Sequence, residues 1–351
     1  MICPMPEVRD GMPGGPTRRA ALGVIAVAAA ALPLAACGIR LEDDAPRVPL
    51  VPTREPLPAE GFLLGLWLAS GDLAAQASAL GGAATAIPTR LAALHREQER
   101  VLRSVLRSMG VPDRAVAEAE ESHRRAADTP TTPPATQSSA PASQGAPSPS
   151  GQPTPAATPP PSPIRLGEAE AAALAPESLA GLADVPRTSV AVAAAALAQR
   201  AAASALLGSA VTWPEQSGVP AEVAVIALDA ARAAVYGLEV VAAQSRAPQR
   251  TLATSTLATL RARVAALEEL AGEAAPPPAL GYPLPFPVTT EAAARRLALH
   301  VLTGLRESCA RTAGAGARDA SALAAVVQWL AEAEGLAHRW GLPLEPFPGL
   351  V

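Results

Sequence analysis

Pro276-Pro277-Pro278-Ala279-Leu280-Gly281-Tyr282-Pro283-Leu284-Pro285-Phe286-Pro287 interrupts an otherwise helical half of a 351-residue chain. Proline fixes φ and carries no backbone donor, so this run continues no helix and extends instead. Twelve residues of polyproline II span about 37 Å. A helix of about 25 residues is equally long. The run can therefore carry the chain from one end of a helix pair to the other and start the next helix from the opposite end. On its flanks, Leu257, Leu260, Val264 and Leu267, then Leu297, Val301, Leu305 and Cys309, recur at helical spacing. Each set marks one buried stripe. Four helices follow from this half, at 220–245, 249–273, 289–313 and 319–340. Pro220 suits a first helical turn, and Asp319, after Gly314 and Gly316, is a good N-cap.

The first half repeats the scheme. Leu91, Leu94, Gln98, Val101 and Val105 make a stripe, with Arg96, Glu97, Arg100, Arg103 and Arg107 on the other faces. Helices are expected at 62–81, 88–109, 166–183 and 188–212. The crossover slot is filled by Thr129–Pro163, whose Pro, Thr, Ser, Ala and Gln content predicts disorder. One long crossover between two helical hairpins is the ferritin-like arrangement. Thr89–Leu94 and Ser255–Leu260 are similar and lie at equivalent places in the two halves. No alternating strand pattern occurs, and aromatics make up 3% of the chain. The expected fold is all-α: two tandem ferritin-like four-helix bundles with long proline-rich crossovers. The first covers 61–213, interrupted by loop 129–163, and the second covers 219–351.

The N-terminus reads as an export signal over 1–36. Arg18-Arg19 precede an apolar run from Ala20 to Leu32, and Leu34-Ala35-Ala36-Cys37 follows. Small residues before a cysteine fit a lipoprotein signal peptidase, and the Cys37 thiol would take the diacylglycerol. The paired arginines fit both a twin-arginine signal and an ordinary secretory one. Residues 37–60, rich in proline, read as an extended tether. The expected location is the outer face of the cell membrane, with the lipid bilayer held through acylated Cys37. Two further apolar stretches, Thr188–Thr212 and Glu222–Ala243, carry central charges (Arg200; Asp229 and Arg232). Each such charge costs about 2.5–3.5 kcal/mol to insert, so both stretches read as buried soluble helices.

A net charge of −4 gives no footprint for nucleic acid, so none is expected as a partner. All basic residues are arginine, and asparagine is absent. Of three cysteines only Cys309 would remain unmodified after processing, so no intramolecular disulfide is expected; its place beside Leu305 reads as an inert core thiol. No nucleophile elbow, phosphate-binding glycine loop or Cys-x-x-Cys is present.

A ferritin-like metal centre needs carboxylates or imidazoles from all four helices, because hard iron takes oxygen donors held inward. Thr188–Thr212 contains neither. Glu120 and His123 form the chain's Glu-x-x-His, in a charged stretch that reads as a solvated helix end. In the second half the weak metal candidates are His300 and Glu307 on one face and Glu334 and His338 on the last helix. His95, close to Arg96, Glu97 and Glu99, reads as exposed. Asp229 and Arg232 read as an intrahelical ion pair, and Trp213, Trp329 and Trp340 as caps near helix ends. No cofactor and no catalytic residue is expected.

Ala233-Ala234-Val235-Tyr236-Gly237, Tyr282–Val288 and Phe347-Pro348-Gly349-Leu350 resemble the actinobacterial ferritin-like domain of unknown function found in lipoproteins. The resemblance covers Ala221–Leu350 and implies a four-helix bundle without established activity. The family's Glu-His pair before Tyr-Gly is replaced here by Ala231 and Arg232. The expected function is a lipid-anchored, non-catalytic binding or scaffolding module with a partner in the envelope. The rival reading is a metal-binding protein handling iron at the cell surface.

Overall fold

The computed structural model describes residues 54–128 and 160–350. Cys37, Arg18, Arg19, Leu34, Ala35 and Ala36, and all but the last residues of loop 129–163, lie outside them. Among the described residues there are ten α-helices and no strand. They are α1 Glu60–Leu80, α2 Ile87–Ser108, α3 Asp113–Asp128, α4 Pro163–Ala172, α5 Pro176–Gly181, α6 Val190–Leu206, α7 Ala221–Gln244, α8 Gln249–Ala271, α9 Glu291–Ala315 and α10 Ala320–Arg339. No helix among them is long and apolar enough to cross a membrane.

Side-chain caps set three of the helix starts. Ser162, Thr290 and Asp319 accept from the backbone N–H three residues on, starting α4, α9 and α10. The expected helix 166–183 is broken after Ala172, because Pro176 starts a new helix and disfavours helical geometry at the residue before it. α6 ends at Leu206 rather than 212. Gly208 adopts φ +86° and the Ser209 N–H returns to the Ser204 carbonyl, a left-handed stop that glycine takes without strain. α3 is an additional helix, formed from the charged stretch that the sequence marks only as a helix end.

Pro56–Val351 form one compact unit. α1 pairs with α2, α7 with α8, and α9 packs on both α7 and α10. In the first half α6 packs on α4, and α1 on α4 and α3. The two halves share a continuous core, because α6 also packs on α9 and α10. From Ala193 to Ser204 every residue of α6 is buried, Arg200 included. Alanine makes this possible, since a short side chain lets neighbouring helices approach on all sides.

Candidate functional site

Five buried polar side chains and a serine meet inside the first half, drawn from four of its helices. α1 supplies Ser70, α2 His95 and Gln98, α4 Glu170, and α6 Gln199 and Arg200; none is more than 1% exposed. His95 is therefore not exposed. Its buried stripe is Leu91, His95, Gln98, Leu102 and Leu106, while Leu94, Val101 and Val105 are half-buried flanks.

The proton positions follow from the acceptors. The Pro346 carbonyl can only accept, so the Gln98 amide nitrogen must face it, at 2.8 Å. That nitrogen also donates to Gln199 Oε1 at 2.9 Å. Gln98 Oε1 consequently faces His95 Nδ1, at 3.1 Å, and Nδ1 carries hydrogen. Nε2 lies 2.7 Å from Glu170 Oε1, so a further proton is shared between imidazole and carboxylate. Arg200 Nη2 donates to Ser70 Oγ at 2.7 Å and to the Leu66 carbonyl at 2.9 Å. Burial pulls the Arg200 guanidinium down to about 10, opposed by the negative charge of Glu170, so it remains a cation at neutral pH. Among the described residues, Glu170 Oε2, Gln199 Nε2, Arg200 Nε and Trp67 Nε1 find no hydrogen-bond partner.

This arrangement does not fit an iron centre. It offers one carboxylate and one imidazole, already joined to each other, and its α6 position holds a guanidinium, which has no lone pair to give and adds positive charge. Among the described residues no three His, Cys, Asp or Glu side chains are grouped so as to hold a metal.

The second half has its own buried charge cluster, built around a direct ion pair. Arg306 Nη1 donates to Glu334 Oε2 and Nη2 to Glu345 Oε1, both at 2.8 Å. The Glu345 N–H donates to Glu334 Oε1 at 2.9 Å. Burial raises the Glu334 carboxyl above its ordinary value, against the pull of Arg306. The four weak metal candidates do not converge. Glu334 belongs to this cluster, His338 Nδ1 donates to the Leu342 carbonyl, and Glu307 lies 3.8 Å from Arg311. His300 is exposed and lines a groove of about 350 Å³ with Tyr236 and Tyr282.

Other expectations are corrected by the side chains. Arg232 pairs with Glu268 on α8, at 2.7 Å, and with the Pro276 carbonyl, not with Asp229. Asp229 acts instead on Tyr282, whose hydroxyl is raised by burial and by that carboxylate. His123 pairs with Asp72 of α1 at 2.7 Å. Trp329 sits in the middle of α10 rather than near an end, donating to Gln216, while Trp340 does lie just past the end of α10 and donates to Thr256. Cys309 is buried and its thiol is pushed up to about 12, chiefly by desolvation.

The motif residues of the second half are packing devices. A Cβ on Gly237 would come within 2.7 Å of Val301, so glycine there sets the α7–α9 approach. Tyr236 and Tyr282 stack tilted, 5.9 Å apart, holding the crossover on α7. Phe286 lies under Arg296, and Phe347 is buried. Residues 224–351 match a domain of unknown function, DUF4439. The DUF4439 domain thus begins within α7 and takes in the crossover and the C-terminal tail. No curated protein and no solved structure matches the chain.

Proposed function

We propose that the protein is a lipid-anchored, extracytoplasmic helical module that binds or scaffolds rather than catalyses, with ferritin-like bundles that hold buried guanidinium cations where metal chemistry would need ligands. The observation that carries this reading is Arg200. A buried guanidinium stands on the fourth helix of a ferritin-like set, where a metal centre would need a donor with a lone pair. Arg306 on α9 is a second buried guanidinium, paired directly with Glu334. The Leu34-Ala35-Ala36-Cys37 sequence supports the anchoring half of the proposal, and the resemblance of the second half to a domain found in lipoproteins agrees with it.

Two measurements test it. Cys37→Ser is expected to move the protein from the membrane fraction to the soluble one; retention in the membrane refutes the anchor. Elemental analysis of the protein purified after exposure to ferrous iron is expected to show no stoichiometric metal. A stoichiometric iron content would establish the iron-handling alternative.

A further inference from the structure

Between α6 of the first half and α10 of the second lies a groove of about 540 Å³, within the range of ordinary small-molecule sites. Ala202, Ala205 and Leu206 of α6 make one wall. The segment that follows α6 bounds it with Val211 and Trp213. Trp213 is half-buried, packed against the core yet reachable from the groove, and its indole N–H donates to no described residue.

On α10, Gln328, Glu332, Gly335 and Arg339 recur at three- and four-residue intervals and turn one face to the groove. Glu332 is the one carboxylate among the described residues that line it. Arg263 of α8 neutralises that carboxylate, with Nε and Nη2 at 2.8 and 2.5 Å from Oε2. Arg339 is exposed and has no hydrogen bond or ion pair with any described residue. Two guanidinium groups against one carboxylate leave the lining with one net positive charge, carried on a side chain that solvent reaches. Gly335 lies one turn before Arg339, and a Cβ there would meet nothing within 4 Å, so its missing side chain is part of the open space.

We infer that this groove binds a flat aromatic molecule bearing one carboxylate, the ring lying between Trp213 and the alanine wall and the carboxylate accepting from Arg339. An indole favours offset stacking with another ring, and the planar fork of a guanidinium matches a carboxylate through two bonds at once. One negative charge balances the lining, whereas a phosphate dianion would leave a second one among apolar walls. Both recognising groups are open to the groove, so no core rearrangement is needed. The binding module proposed above thereby gains a ligand class, and the site rests on that reading. It needs neither the anchor nor the absence of iron, so the membrane-fraction and metal results can fail separately from the one below.

The test is titration calorimetry of 2-naphthoate into the full chain carrying Cys37→Ser in detergent-free buffer. One 2-naphthoate per chain is expected. Two controls should bind at least tenfold more weakly: 2-naphthylmethylammonium, which has the ring and the opposite charge, and octanoate, which has the charge and no ring. Arg339→Gln should weaken 2-naphthoate at least tenfold yet leave the neutral 2-naphthylmethanol within about twofold; Arg339 has no partner to lose, so the fold should survive. Gly335→Leu should abolish binding of both. Leucine is a better helix former than glycine, the position is open, and the new side chain fills the groove, so its helical circular dichroism should match the parent. No binding to the parent protein, either control binding as tightly as 2-naphthoate, or unchanged 2-naphthoate binding in either variant would each overturn the inference.

Discussion

Replacing Arg306 by methionine removes a cation that is 2% exposed and leaves Glu334, fully buried, facing an apolar side chain. Two bonds of 2.8 Å disappear, one to Glu334 and one to Glu345. Removing one partner of a buried pair costs about 3–5 kcal/mol, because the other charge is stranded. The loss has a pH signature. The Glu334 carboxyl already lies above the ordinary 4.5 in the folded protein, burial outweighing Arg306. A carboxyl raised on folding contributes most below its unfolded value, and that contribution is lost as pH climbs through its folded value. Without Arg306 the folded value climbs further, at about 1.4 kcal/mol per unit. The deficit relative to the parent protein should therefore be small near the ordinary carboxyl value and grow to its plateau as the solution becomes neutral and then mildly alkaline. Urea unfolding followed by circular dichroism at a series of pH values reads it directly. The double variant Arg306→Met, Glu334→Leu should recover most of the loss, since a buried pair replaced by apolar groups is often neutral. A plateau deficit below about 1 kcal/mol, or one that shrinks as pH rises, would refute the assignment of Glu334 as the stranded charge.

Gly349→Ala should destabilise the protein by about 1–3 kcal/mol, because φ is +74° there and the new Cβ would lie 2.3 Å from the Arg306 carbonyl oxygen; an unchanged melting temperature would contradict the packing of the tail. Nitrogen-15 spectra of His95 should show Nδ1 protonated at neutral pH, and a ring with bare Nδ1 would reverse the Gln98 orientation derived from Pro346.

Periodicity locates the long helices because their buried faces are made of Leu, Val and Ala at intervals of three and four, as in Ala298, Leu302 and Leu305. It also identifies Asp319 as a cap, since that function is local. The polar centre is harder to see. His95 has no partner among its immediate sequence neighbours: Leu94 and Arg96 lie on other faces of α2, and Glu170 is 75 residues away. The available signal is the spacing Leu91, His95, Gln98, Leu102, Leu106, which places both polar residues within an apolar stripe, and the matching Leu166, Glu170, Leu174 around α4. Arg200 is legible as a charge within an alanine-rich helix, but only the fold reveals that the helix is enclosed on all sides. Arg232 finds Glu268 rather than Asp229 because α8 brings a carboxylate nearer than the adjacent helical turn does.

The Pro346 carbonyl, which orients Gln98 and through it His95, is supplied 248 residues further along the chain. During synthesis the helices of the first half leave the ribosome long before that oxygen exists. Their polar centre can be completed only after translation has passed Pro346, so a chain cut short ahead of that residue loses its C-terminal tail and an acceptor deep in its first half at one stroke.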